Sequence, residues 1–426
     1  MNERATDREF DIVLYGATGF VGRLTAEYLA RAGGNARIAL AGRSPEKLAA
    51  VRSTLGGTAQ DWPILTVDAS RPATLREMAE RTRVVITTVG PYSKYGLPLV
   101  EACATAGTDY ADLTGEAMFV RRSIDDFHKQ AVDTKARIVH ACGFDSVPSD
   151  MTVYELFRRA RQDGTGELGD TDFVLRGFSG GVSGGTIASM IEVFRASSGD
   201  PDTRRMLDDP YTLSQDRPGE PEFGDQPDLR WRRGGDIAPE LDGVWAAGFV
   251  MAMYNTRIVR RSNALLDYAY GRGFRYAEYM SVGPSLTAPV TSAIATAATA
   301  ASAAVGSRFF RFLPKKLVER IAPKPGTGPS QEVRDNGWYR VETYTTTSSG
   351  ARYVATMSQS GDPGYKATAV MLGECGLALA LDRDKLPDIY GVLTPAAAMG
   401  DALLARFPDA GISLQSTRLD TDALRA

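Results

Sequence analysis

The sequence is poor in the residues that mark several large function classes. It holds three cysteines, Cys103, Cys142 and Cys375, and two histidines, His128 and His140, in 426 residues. Three thiols cannot build a disulfide framework, and their spacing matches no structural metal site, so no metal centre is expected. Neither sign of charge dominates, with 49 Lys+Arg against 52 Asp+Glu. That balance carries no electrostatic footprint for nucleic acid. There is no Tyr-x-x-x-Lys pair, which removes the proton relay of short-chain dehydrogenases. The first residues, MNERATDREFD, are charged and carry no apolar signal-type run, so a cytoplasmic location is expected.

What is present is a globular composition, 43% apolar and 24% charged, in a chain long enough for two or three domains. Apolar runs at residues 10–16, 36–41, 64–67, 83–89, 108–113 and 137–142 alternate with helical stretches at 22–32 and 45–55. Such alternation implies a parallel sheet with right-handed crossovers. After residue 148 the pattern changes. Residues 163–170 read as a loop and 199–243 as a long surface excursion rich in Pro, Asp, Gly and Arg. Strands are predicted at 172–178, 249–259 and 274–282, and a hairpin at 338–347 and 352–359 around Ser349-Gly350. Helices are predicted at 365–381 and 394–406. The expected fold is therefore α/β: a Rossmann-type doubly wound sheet over 1–148, a mixed α/β substrate domain over 149–364, and C-terminal helices over 365–426 that return to the first domain.

Residues 281–307 carry no charge and are dominated by Ala, Thr, Ser and Gly. Strong apolar side chains are too few there for confident membrane insertion. Arg308, Phe309, Phe310, Arg311, Phe312, Lys315 and Lys316 follow. Two readings stand: a buried or lid helix beside the substrate cleft, which is favoured, and peripheral contact of 281–316 with the inner face of the plasma membrane.

The first strand ends in Gly16-Ala17-Thr18-Gly19-Phe20-Val21-Gly22. A glycine triplet alone is a weak signal, but here it follows a strand and opens a helix, as a dinucleotide fingerprint must. Gly16 allows the tight turn, Gly19 a close approach to the pyrophosphate, and Gly22 close helix–strand packing. The helix N-terminus then offers free N–H groups to phosphate. The second strand ends in Arg43-Ser44, where NAD enzymes usually place a carboxylate. An arginine there can pair with a 2′-phosphate, so NADP(H) is the expected cofactor, with Arg43 as a mere surface residue the alternative. Asp68, after the third strand, has two readings, an adenine-edge contact and a helix cap.

The fourth strand ends in Gly90-Pro91-Tyr92. Gly90 and Pro91 are expected beside the nicotinamide ribose. Tyr92 is the first candidate for proton donor, with Lys94 and Asp145 behind it; local loop packing is the alternative for Tyr92, Lys94 and Tyr95. Two polar loops, 112–116 and 143–150, belong on the same sheet edge. A third glycine cluster, 180–186, precedes a predicted helix.

The blocks GATGFVG, AGRS, TTVGPYSKYG, DYADLTGE, ACGFDSVPSD and SGGTIASMIE, with AYGRGFRY, ERIAPKPGTGPS, ETYTTTSSGARY and GVLTPAAAMGDALLARFP, span nearly the whole chain. With them the sequence resembles the saccharopine dehydrogenase-like oxidoreductases, and within these the trans-acting enoyl reductases of mycobacterial phthiocerol and phenolphthiocerol lipid biosynthesis. The resemblance implies NADPH-dependent reduction of a 2-enoyl thioester held on an acyl carrier or polyketide synthase lacking a working reductase. It implies no agreed catalytic residue. A saccharopine-type amino-acid dehydrogenase and a non-catalytic NADP-binding, lipid-associated protein are the competing functions. A homodimer is the expected assembly if the chain is not a monomer.

Overall fold

The computed structural model describes residues 8–180, 201–283 and 328–419, with side chains from 204 onward in the second stretch. The first six strands alternate with helices: β1 (Phe10–Tyr15), β2 (Ile38–Gly42), β3 (Ile64–Thr66), β4 (Thr82–Thr87), β5 (Asp109–Ala111) and β6 (Arg137–Val139). The next six are β7 (Leu168–Ser179), β8 (Arg232–Arg233), β9 (Trp245–Gly248), β10 (Arg275–Gly283), β11 (Trp338–Thr347) and β12 (Arg352–Ser360). The last two, β13 (Gly391–Leu393) and β14 (Ile412–Arg418), go one to each of two seven-stranded sheets.

The first sheet has the order β13-β6-β5-β4-β1-β2-β3, with every neighbouring pair parallel. All six residues of β1 are buried, as expected of a strand covered by helices on both faces. The strand order reverses between β1 and β4. That switch point opens a crevice outside the carboxyl ends of the strands. The second sheet, β14-β12-β11-β7-β10-β9-β8, is mixed: β7 and β10 run parallel and every other pair runs antiparallel. The β11–β12 hairpin is the one predicted around Ser349-Gly350.

Three expectations are corrected. Residues 249–259 are not a strand: β9 ends at Gly248, and Ala252–Leu265 is a helix. Its Tyr254 and Ile258, one turn apart, pack into the apolar layer under the first sheet. The stretch 199–243 is more than a surface excursion. It holds the helix Pro201–Asp208, and Tyr211, Leu213, Ala238 and Leu241 are buried. Arg257, Arg260 and Arg261 donate to the carbonyls of Leu207, Pro210 and Leu213, so the excursion is tied to the Ala252–Leu265 helix. Finally, the C-terminal stretch is not helices alone. The helix Thr368–Leu381 lies against β1, β4, β5 and the helix Phe20–Ala32, but β14 extends the second sheet. β13 is too short, and β14 too polar, for a periodicity signal.

The three cysteines are buried free thiols. Among the described residues no helix is long and apolar enough to cross a membrane, and no cluster of His, Cys, Asp and Glu could hold a metal. The glycine cluster beyond Gly180 and the segment 284–316 lie outside the described residues.

Candidate cofactor and active site

β1 runs into the glycine loop, and the helix Phe20–Ala32 leaves it with Gly19 as N-cap. Gly16 has φ of 96°, a left-handed backbone that glycine adopts freely. Its carbonyl accepts from Gly19 N (2.9 Å) and from Thr88 Oγ1 (3.1 Å) at the end of β4. A Cβ on Gly22 would lie 2.2 Å from that same carbonyl oxygen, so the helix can sit this close to the strand only with glycine there. No side chain caps the helix and its first turn has no acidic residue. The orphan N–H groups and the positive dipole end are therefore left for an anion. Ala17 is buried, while Thr18, Phe20 and Val21 are half-buried. The Phe20 ring meets Tyr365 edge-on at 4.8 Å, and the Arg334 guanidinium lies 5.2 Å from its centre. The segments that flank the β11–β12 hairpin thus close over the fingerprint.

At the end of β2, Arg43 is exposed, with no hydrogen bond or ion pair among the described residues. Ser44 N-caps the helix Pro45–Thr54, accepting from Lys47 N at 3.3 Å, and donates to Glu46 Oε2 at 2.8 Å. A carboxylate does therefore stand near this strand end, two residues past the expected position. Asp68 accepts from Ser70 N and Ser70 Oγ, both at 2.9 Å. Those bonds, the backbone one first, hold its carboxyl below the usual range. The geometry is a local turn ahead of the helix Pro72–Arg81, whose N-cap is Arg71 with no side-chain cap, so Asp68 does not cap that helix.

Beyond β4, Gly90 and Pro91 border the crevice, and Lys94 is exposed on a short helix, Tyr92–Tyr95. Tyr92 does not fit the role of accessible proton donor. Its side chain is buried, its hydroxyl donates to Thr87 O (3.2 Å) and accepts from Leu113 N (3.2 Å), and burial pushes its ionisation well above the ordinary tyrosine value. Its backbone N–H and that of Ser93 both donate to Glu116, each at 2.9 Å. Tyr92 clamps the loop after β4 to the loop after β5.

Behind that loop Ser123, His140 and Asp112 line up. His140 Nδ1 meets Asp112 Oδ2 at 2.8 Å, and His140 Nε2 meets Ser123 Oγ at 2.8 Å. Tyr110 also donates to Asp112 (2.8 Å), and Asp112 Oδ1 accepts from Thr114 N and Ala141 N. The order of groups is that of a hydrolytic triad, but Ser123, His140 and Asp112 each have 0% exposure. A sealed serine cannot meet a substrate, so this is a satisfied polar core that fixes the loops.

The loop after β6 carries the reactive candidate. Asp145 is half-buried and has no hydrogen bond or ion pair among the described residues. Burial alone pushes its carboxyl up to about 6. Its neighbour Ser146 donates to Asn255 Oδ1 at 2.9 Å, and Asn255 Nδ2 donates to Ser149 Oγ (3.2 Å) and to Glu278 Oε2 (3.0 Å). Tyr276 completes the set, donating to Glu278 at 2.9 Å. Glu278 is fully buried, which pushes its carboxyl up to about 7. One turn along, Asp150 accepts from Ser262 Oγ and Ala396 N, and burial pushes it too up to about 7. These groups join the two sheets but are spent on each other. Tyr254, beside Asn255, is different: it is buried and its hydroxyl has no partner among the described residues. Sequence reasoning missed it because its segment reads as a strand.

The arginines of the Ala252–Leu265 helix serve structure. Arg257 pairs with Asp228, Arg260 reaches Tyr276 O, and Arg261 reaches Val392 O. A cavity of about 360 Å3 does hold Arg230, Arg232 and Arg275, but Asp170, Asp172 and Asp228 line it as well. All its walls come from the second sheet, the Ala252–Leu265 helix and the 223–232 segment, away from the crevice.

Comparison with known proteins agrees with this arrangement. The saccharopine dehydrogenase NADP-binding domain matches residues 12–139. The trans-acting enoyl reductase of Mycobacterium tuberculosis H37Rv is 62% identical over 97% of this chain and 99% of its own length. That of Mycobacterium ulcerans is 61% identical with the same coverage. A second, provisionally named trans-acting enoyl reductase of M. tuberculosis H37Rv is 70% identical, again over 97% and 99%. The apo saccharopine dehydrogenase (L-Glu forming) of Saccharomyces cerevisiae shares the fold, with a TM-score of 0.52 at 12% identity over 96% of this chain and 99% of that one. The chain is an NADP(H)-binding oxidoreductase and belongs to the saccharopine dehydrogenase-like family, in the group of the trans-acting enoyl reductases.

Proposed function

We propose that this protein is an NADPH-dependent enoyl reductase that acts in trans on a 2-enoyl thioester carried by an acyl carrier or polyketide synthase, in assembly of phthiocerol-type complex lipids. The observation that carries the reading is the identity of 62% or more, along 97% of the chain, to proteins named for that activity. The site is compatible with it. The uncapped start of the Phe20–Ala32 helix and the loop from Gly16 to Gly22 would hold the pyrophosphate, and Arg43 the 2′-phosphate. Gly90 and Pro91 would border the nicotinamide, and Asp145 and Lys94 the reacting carbons. The cofactor, when bound, supplies hydride to the β-carbon of the enoyl group. The chain's own part is to orient the thioester, stabilise charge on its oxygen and deliver a proton to the α-carbon.

An amino-acid dehydrogenase would need cationic groups deep in the crevice to bind two carboxylates. Two arginines of the Ala252–Leu265 helix, Arg257 and Arg261, are engaged with Asp228 and backbone carbonyls. The test is NADPH oxidation with carrier-linked 2-enoyl thioesters, with saccharopine precursors and NADH as controls. Turnover of enoyl thioesters with NADPH, lost in Gly19→Val, supports the reading. Tight NADPH binding with no turnover of enoyl thioesters, even with the synthase present, would defeat it.

A further inference from the structure

We propose that Arg334 is a cofactor-binding residue that holds the diphosphate of NADP(H) against the start of the Phe20–Ala32 helix. The inference rests on the NADP(H) site and not on the choice of substrate. The matched NADP-binding domain ends at residue 139, so Arg334 lies outside it.

Phe20 is the first residue of the helix, and its N–H is one of the orphan donors at the uncapped end. Side chains on a helix tilt towards its N-terminus, so the Phe20 ring leans towards the end where the diphosphate is expected. The segments that flank the β11–β12 hairpin meet the ring there. A Cβ on Gly328 would lie 2.4 Å from Phe20 Cζ, so the bare glycine backbone is what lets the chain lie this close to the ring. Tyr365 meets the ring edge-on, and the Arg334 guanidinium lies 5.2 Å from its centre. Phe20 is thus a platform that brings a cation from a distant part of the chain to the helix start.

Arg334 is anchored, yet its charge is not spent inside the chain. Its carbonyl accepts from Asp362 N at 3.0 Å, and its Nη1 donates to Pro329 O. The side chain is half-buried. Among the described residues, Nε and Nη2 have no hydrogen-bond partner and no carboxylate forms an ion pair with the guanidinium. Two acids feel its charge, Asp335 and Asp362. Asp335 pairs with Lys366 Nζ at 2.6 Å, and Asp362 Oδ1 accepts from Lys366 N at 3.1 Å; neither bonds to Arg334. The Nε–Nη2 edge is left as a planar fork, the shape that takes two phosphate oxygens at once. Covering the Phe20 ring asks only for an apolar stem, which methionine supplies as well.

The test uses that difference. Arg334→Met keeps a stem over Phe20 and removes the fork, and Arg334→Lys keeps the charge without the fork. Both are compared with wild type by fluorescence titration with NADPH and with NADH, at low and high salt, and by thermal melts of the cofactor-free protein. Loss of a hydrogen bond to a charged group costs about tenfold to a hundredfold in affinity. Arg334→Met should weaken NADPH and NADH by the same factor, because both carry the diphosphate. Its binding should respond less to salt, and its cofactor-free melting temperature should match wild type. Arg334→Lys should fall between. Wild-type affinity in Arg334→Met overturns the proposal. So does a loss confined to NADPH, which would put Arg334 at the 2′-phosphate. A lower melting temperature of the cofactor-free Arg334→Met protein would show a structural role and also overturns it. Failure of the wild-type protein to bind either nucleotide would overturn the NADP(H) site itself, and the proposal with it.

Discussion

Ser146 Oγ donates to Asn255 Oδ1 at 2.9 Å across 109 residues of chain, and both residues are wholly buried. Asn255 spends its amide on Ser149 and Glu278, so one side chain joins the loop after β6 to a strand of the second sheet. Asn255→Ala should leave Ser146 and Glu278 short of partners. We expect a loss of about 3 kcal/mol, since each unsatisfied buried group costs about 1–3 kcal/mol. Urea unfolding measures it; a loss below 1 kcal/mol would mean that the network reorganises around the gap.

The glycine loop makes a sharper prediction. A Cβ on Gly22 would meet the Gly16 carbonyl at 2.2 Å. Gly22→Ala must push the helix off β1, at about 1–3 kcal/mol by analogy with overpacked cores. NADPH affinity should drop with it, because the same helix start faces the phosphates. Titration of NADPH fluorescence, together with a thermal melt, checks both effects.

Arg43 should separate the two nicotinamide cofactors. Its guanidinium is exposed and unpaired among the described residues. A hydrogen bond to a charged group is worth about 1.5–3 kcal/mol, so Arg43→Ala should raise KM for NADPH by about tenfold to a hundredfold. KM for NADH should stay the same. Equal losses with both cofactors would remove Arg43 from the 2′-phosphate site. Ser44→Ala, in contrast, should cost about 1 kcal/mol of stability as a lost N-cap.

Asp145 predicts a pH dependence of stability. Its folded-state value of about 6 lies above the ordinary 3.8, because burial penalises the charge. The folded protein therefore binds this proton more tightly than the unfolded chain does. The favourable contribution is full below the ordinary value and is lost as pH rises through about 6. Asp145→Asn should melt higher than wild type at pH 7.5, and this advantage should shrink towards pH 4.5. An advantage that is the same at both values would mean that Asp145 is not desolvated.

Much of the first sheet is legible locally. Phe10–Tyr15 is a continuous apolar run because both faces of β1 are covered, and the glycines at 16, 19 and 22 announce the turn that must follow. Arg43, likewise, stands next to the β2 strand end in the chain itself, so the NADP(H) expectation needs no tertiary information. The proton donor is a different case. Tyr92 follows the right strand, yet its hydroxyl turns inward to Thr87 and Leu113, a fact set by the loop after β5 and invisible in its own neighbourhood. Tyr254 lies in a stretch whose apolar residues suit strand or helix equally. In the folded protein it is a helix, and arginines at 257, 260 and 261 reach carbonyls on distant segments. Turn chemistry and strand burial act over a few residues and can be read along the chain. The meeting of Ser146 with Asn255 depends on the packing of segments 109 residues apart, and only the folded protein brings them together.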